Sequence, residues 1–130
     1  MSVIDKFREL LLPVLGFESI DELPPDAALV KDLGADSLDF VEIMYIIESN
    51  FGVVLKTSQI IAGGENIRQE DIFEDNRLTA MGLQRIEQSF PGSAGRFTVG
   101  MNRVDVFSTI TIRDIAGIID TKLLEGNKNA

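Results

Sequence analysis

DLGADSLDF, running from Asp32 to Phe40, sets one serine between two aspartates, three residues after a glycine and at the head of an apolar-periodic run. The chain contains no His and no Cys, so Ser37 has no paired base of the kind that nucleophilic catalysis needs. Asp36 suits an N-cap, Asp39 follows it at capping-box spacing, and both suit the positive end of a helix dipole. That is a complete structural account of DSLD. The same geometry also supports a chemical one. A first-turn serine displays its hydroxyl beside free backbone N–H groups, and these favour a phosphate joined to that oxygen. Gly34 lets the chain turn sharply into the helix and keeps the approach open. On this second account Ser37 is placed to be modified by another enzyme; on the first, Asp36 caps and Ser37 merely fills the first turn.

Working outward, the second helix is expected from Ser37 to Phe51. Phe40, Ile43, Met44, Ile47 and Phe51 keep the spacing of a core-facing stripe. A second row, Ser37, Val41, Tyr45 and Glu48, either lies on the serine's side of the helix or widens that stripe. Upstream, Val3, Ile4, Phe7, Leu11, Val14 and Leu15 mark one face of a first helix, with Ser2 as cap and Gly16 as stop. Pro13 is awkward near its end. Between the two lies FESIDELPPDAALVKDLGA. Pro24 and Pro25 forbid a regular helix there, but Leu23, Leu29, Val30 and Leu33 make it an ordered, packed loop.

Downstream, the last helix is expected from about Thr109–Thr111 to Leu124. Ile112, Ile115, Ala116, Ile119 and Leu123 form its buried stripe, Thr111 and Asp114 stand at capping-box spacing, and the tail GNKNA is expected to fray. The text between is mixed. FGVVL reads as extended, AGGEN as a turn, and QEDIFEDN as acidic with a short helical turn. RLTAMGLQRIEQSF reads as a helix, with Leu78, Met81, Leu83, Ile86 and Phe90 on one side. PGSAG ends it, and RFTVGM alternates like a strand through Phe97, Val99 and Met101.

The 130 residues suit one compact domain. No apolar run is long enough to span a membrane, the N-terminus lacks the pattern of a secretory signal, and the absence of cysteine fits a reducing cytoplasm. The net charge of −9 is uneven: residues 1–55 hold 11 acids and 3 bases, residues 56–108 hold 7 and 6, and residues 109–130 hold 3 of each. Nucleic acid and anionic membranes should be repelled, and a basic protein surface attracted. Asp32, Asp36, Asp39 and Glu42 close no defined geometry around a metal.

DLGADSLDFVEIMYIIESNFGVVL resembles the acyl carrier protein signature, in which D-S-L follows a glycine and opens the second helix of a small bundle. The matching features are Leu33, Gly34, Asp36, Ser37, Leu38, Asp39, Val41, Glu42, Glu48 and Phe51. The loop ALVKDLGA and the final TIRDIAGIIDTKL match in order and character, so that about 75 to 80 residues are covered. The resemblance implies an all-α, four-helix bundle and a monomeric carrier that is not itself an enzyme. It implies that a phosphopantetheinyl transferase attaches 4′-phosphopantetheine from coenzyme A to Ser37, and that the arm carries acyl groups as thioesters in fatty-acid, lipid or polyketide-type synthesis. A chain without Cys would thus obtain its thiol from the cofactor, and an apolar cargo could shelter between the helices. Acyl-loading and acyl-transfer enzymes would set basic patches on Asp36, Asp39, Glu42 and Glu48, with Leu38, Val41 and Tyr45 giving apolar contact.

Where the family has a short segment with a small third helix, this chain has about Lys56 to Phe107, an insertion within the single domain 1–130. The expected form is a helical element with an extended return, packed on the bundle near the usual third helix. RLTAMGLQRIEQSF is either that third helix displaced or an addition. The competing readings are an unmodified acidic interaction module that kept the fold, and a peptidyl or aryl carrier. The latter usually shows G-G-x-S in place of G-A-D-S.

Overall fold

The computed structural model describes residues 2–56, 60, 69–93 and 95–128. Helix α1, Val3–Leu15, starts where the Ser2 hydroxyl accepts from the Asp5 N–H at 3.3 Å and ends at left-handed Gly16. Pro13 sits inside its last turn, and Phe7 and Leu11 are buried. The connection that follows is ordered, as its apolar residues require. Leu23 and Leu29 are fully buried. The Arg8 guanidinium donates to the carbonyls of Leu23 and Ile20 at 2.8 and 2.7 Å, pinning the loop to α1. Gly34, at φ 73°, turns the chain toward Ala35, whose N–H donates to the Leu29 carbonyl at 2.9 Å.

Helix α2, Ser37–Phe51, has the expected bounds and ends at left-handed Gly52. Phe40, Ile43 and Ile47 are buried, with Met44 and Phe51 packed against the core. Beyond it, Val53 and Leu55 are buried and Val54 exposed. The alternation is that of an extended segment, although FGVVL pairs with no strand among the described residues. AGGEN lies outside the described residues.

The next region departs from its expected form. Gln69–Asp71 is a short 3₁₀ turn, as QEDIFEDN suggested. It leads into a hairpin of β1, Phe73–Glu74, and β2, Arg77–Leu78, with Phe73 opposite Leu78. Asp75 and Asn76 form the turn at φ 52° and 64°, the paired positive angles of a type I′ hairpin. Arg77 and Leu78 therefore do not belong to the following helix. The Leu78 N–H donates to the Met101 carbonyl at 2.8 Å, and its carbonyl accepts from the Gly100 N–H at 2.7 Å. Helix α3, Ala80–Ser89, starts instead at Thr79, whose hydroxyl accepts from the Gly82 N–H at 2.9 Å. Ile86 and Phe90 are buried, but Met81 is exposed and lies off the stripe. RFTVGM is not a regular strand: Val99 is exposed together with Thr98, and the chain turns at Gly100.

A short helix that periodicity did not reveal, α4, runs Arg103–Ser108 behind an Asn102 cap. It stands directly before the last helix and packs on α2 through Phe107 against Phe40. Helix α5, Ile112–Lys128, opens with the expected box, Thr111 and Asp114 exchanging hydrogen bonds at 2.9 and 3.1 Å. Its backbone stays helical to Lys128, past the point where fraying was expected.

Helices α1, α2 and α5 pack together, and the hydrophobic core runs unbroken from Phe7 through Ile72, Ile86 and Phe97 to Ile119. The fold is a helical bundle carrying a two-stranded ribbon. No helix among the described residues is long and apolar enough to cross a membrane.

Candidate functional site

At the head of α2, local chemistry decides the geometry. Asp36 is extended and caps the helix, its carboxylate accepting from the Asp39 N–H at 2.9 Å, while the Asp39 carboxylate accepts from the Asp36 N–H at 3.0 Å. The Phe40 N–H donates to the Asp36 carbonyl at 3.1 Å. The Ser37 and Leu38 N–H groups are the remaining donors of this first turn, and they hydrogen-bond to no other group among the described residues. Ser37 itself is exposed. A Cβ built at Gly34 would meet nothing within 4 Å, so it is the positive φ of 73° and not crowding that calls for glycine at this turn.

The structure brings the expected surface residues onto one outward side of α2. Leu38, Val41 and Tyr45 are 77%, 67% and 68% exposed. Val41 and Tyr45 thus do not widen the core stripe, and the row from Ser37 through Val41 and Tyr45 to Glu48 is a solvent-facing one. Asp36, Glu42 and Glu48 are exposed beside them, and Asp39 is half-buried by its capping role. Residues 32–50 contain no Lys or Arg, so nothing on this helix neutralises the carboxylates.

Hydrogen bonds in the preceding loop tie this end of the bundle to α4. The Leu29 N–H donates to the Ile110 carbonyl at 3.0 Å and the Lys31 N–H to the Ser108 carbonyl at 3.2 Å. Phe107 then lies against Phe40, with ring centroids 4.9 Å apart and planes at 51°. Sequence reasoning missed Phe107, because its partner is 67 positions away and its helix is too short to show a period.

A cleft of about 430 Å³ lies elsewhere, between Ser89, Phe90, Gly92 and Arg96 on one side and Thr111, Arg113, Asp114 and Gly117 on the other, with Asp26 at its rim. Its charges are spent on one another. Arg96 grips Asp114 at 2.9 and 3.1 Å and also donates to the Thr109 carbonyl. Arg113 bonds Asp26 at 2.8 Å, and that hydrogen bond, followed by the carboxylate's charge, raises the guanidinium above its ordinary pKa. None of its lining residues belongs to α2. Among the described residues, no group of three or more acidic side chains is arranged to hold a metal ion.

Residues 5–69, half of the chain, match the family described as "Phosphopantetheine attachment site". An acyl carrier protein of Solidesulfovibrio magneticus is 47% identical over 53 residues, covering 41% of this chain and 67% of the relative. One from Helicobacter pylori is 35% identical over 81 residues, covering 60% of this chain and 99% of the relative. One from Akkermansia muciniphila is 44% identical over 52 residues, covering 40% and 64%. No solved structure matches the chain.

Proposed function

Because the chain belongs to the acyl carrier protein family, whose members are carriers of covalent 4′-phosphopantetheine and not enzymes, we propose that Ser37 is the residue to which the arm is attached. The observation that carries this reading is an exposed hydroxyl in the first turn of α2, beside two uncommitted N–H groups. These donors and the helix dipole favour a phosphodiester on that oxygen. The Ser37 oxygen attacks the phosphorus of coenzyme A that bears pantetheine. A new P–O bond forms, the pyrophosphate bond breaks, adenosine bisphosphate departs, and the serine proton passes to a base of the transferase. When bound, the arm supplies the thiol on which acyl groups ride as thioesters. The chain's own residues do the rest: the Asp36–Asp39 box fixes the serine, and the α2 surface meets the partners.

Those partners are a phosphopantetheinyl transferase and acyl-loading and acyl-transfer enzymes with basic docking patches. Asp36, Asp39, Glu42 and Glu48 steer them, while Leu38, Val41 and Tyr45 provide apolar contact. Exposed charges give on-rate more than affinity, which suits a monomeric shuttle that must release each enzyme in turn. The setting is acyl transport for fatty-acid, lipid or polyketide-type synthesis in a reducing, cytoplasmic compartment. Residues 1–130 form one carrier domain, with the added segment, about Lys56 to Phe107, inside it.

Incubating the apo chain with coenzyme A and a promiscuous transferase, then weighing the intact protein, tests the reading. The mass of one phosphopantetheine should be gained by the wild type and not by Ser37→Ala. A chain that stays bare would return it to the class of unmodified interaction modules.

A further inference from the structure

We propose that Phe107 and Phe40 form a closed shutter between the Ser37 site and the interior of the bundle, so that this carrier keeps its cargo outside its own core and serves short or polar acyl groups. The inference rests on the carrier reading and specifies its substrate class.

An apolar chain tethered at Ser37 is drawn toward the nearest interior, since burial is favourable in proportion to the area removed from water. That interior begins one turn along α2 at Phe40, which is 3% exposed. Side chains three apart on a helix are neighbours, so Phe40 is the first buried side chain of α2 reached from the attachment point. The bonds from Leu29 to Ile110 and from Lys31 to Ser108 hold the end of α4 beside the loop that leads into α2. Phe107 thereby closes on Phe40 in a tilted ring contact at 4.9 Å, an arrangement favoured beyond its buried area. Under the two rings, Ile43, Val106 and Ile110 are all buried and belong to the continuous core. The cleft at the start of α5 is lined by none of these residues.

The two halves of the shutter differ in what holds them. Phe40 is fixed by a fifteen-residue helix with a capping box. Phe107 stands on a six-residue helix in which Val106 is the buried residue. Trimming Phe107 should therefore leave α2 and Ser37 in place while opening an apolar void, and such voids accept apolar guests.

Butyryl and octanoyl groups can be loaded onto the apo chain from the corresponding acyl-coenzymes A by a promiscuous transferase. Hydroxylamine cleavage of each thioester is then followed by intact mass, and the ring resonances of Phe40 and Phe107 are followed by NMR. The two wild-type thioesters should be cleaved at the same rate within about twofold, with ring resonances unmoved by chain length, because neither chain is sheltered. In Phe107→Ala, and to a lesser degree in the better-packed Phe107→Leu, the octanoyl thioester should be cleaved about tenfold more slowly than the butyryl one, as added methylenes favour the sheltered form. Protection of the octanoyl group in the wild type, or length-dependent shifts of the two rings, would overturn the shutter. Equal cleavage in both variants would overturn it as well, since Phe107 would then not be what closes the core. Failure of every acyl group to load at Ser37 is a distinct result that would overturn the carrier reading and, with it, this inference.

Discussion

Helix α2 leaves Leu38, Val41 and Tyr45 to solvent, whereas the segment from Gln69 to Met101 turns Ile72, Phe73, Leu78, Ile86, Phe90 and Phe97 inward. Helix α2 divides its apolar side chains between the core, through Phe40, Ile43 and Ile47, and an exposed row; the second region commits most of its own to the core and exposes Met81 and Val99. Their local geometries are secured differently too. The Ser37 site is set by residues within four positions of it, through the Asp36–Asp39 box and the Gly34 turn. The segment from Gln69 to Met101 depends on partners farther along the chain. The Ile72 carbonyl accepts from both the N–H and the hydroxyl of Thr79, at 3.1 and 3.0 Å, and Arg96 reaches across to Asp114 on α5. A site built this way should survive damage to the segment, while the stability of the whole should not.

The strongest way to break that contrast is Gly82→Ala. A Cβ at this position would collide with the backbone carbonyl of Ile72, so helix and hairpin must part. Alanine gains about 1 kcal/mol of helix propensity over glycine, and overpacking of this kind costs about 1–3 kcal/mol or more. A net fall in urea midpoint, with phosphopantetheine still loaded at the wild-type rate, is the expected outcome. A parallel loss of loading would mean that the segment positions Ser37.

Arg96→Met sharpens the comparison further. It removes the two bonds to Asp114 and the one to the Thr109 carbonyl, but keeps much of the side chain's packing. Hydrogen bonds between charged groups contribute about 1.5–3 kcal/mol, and Asp114 keeps its cap on the Thr111 N–H. A loss of about 1–2 kcal/mol in chemical denaturation is expected. No loss would show that the segment is held to α5 by apolar packing alone.

The smallest effect is expected at the site itself. Asp36→Ala removes the acceptor for the Asp39 N–H, and loss of such a cap costs about 1 kcal/mol. Because Asp36 also lies on the proposed docking surface, its loss should slow the transferase more than it lowers the melting temperature. Rescue of stability but not of rate by Asp36→Ser would separate the two roles, since serine caps without the charge.

The same contrast explains what was legible in the sequence. Helices α1, α2 and the start of α5 could be read from residues alone, because their stripes and caps are local: Ser2 and Gly16, Asp36 and Asp39, Thr111 and Asp114. So could the outward row at Ser37, though not whether Val41 and Tyr45 faced water. The hairpin could not. Two-residue strands carry no periodicity, and Leu78 kept helical spacing with Ile86 while its main chain was bonded to Gly100 and Met101. The one available signal was Asp75–Asn76, a pair that tolerates positive φ. Helix α4 hid behind the false alternation of Phe97, Val99 and Met101, and behind its own brevity. Phe107, which sets the proposed cargo preference, owes its place to a contact that no local pattern encodes.

The most direct measurement is to purify the protein from its native cells, digest it, and sequence by mass spectrometry the peptide that spans Ser37. A phosphopantetheine carried on the Ser37 oxygen, alone or thioesterified, is the expected result. A bare serine in protein from cells whose other carriers are loaded, or the arm on a different residue, would contradict it.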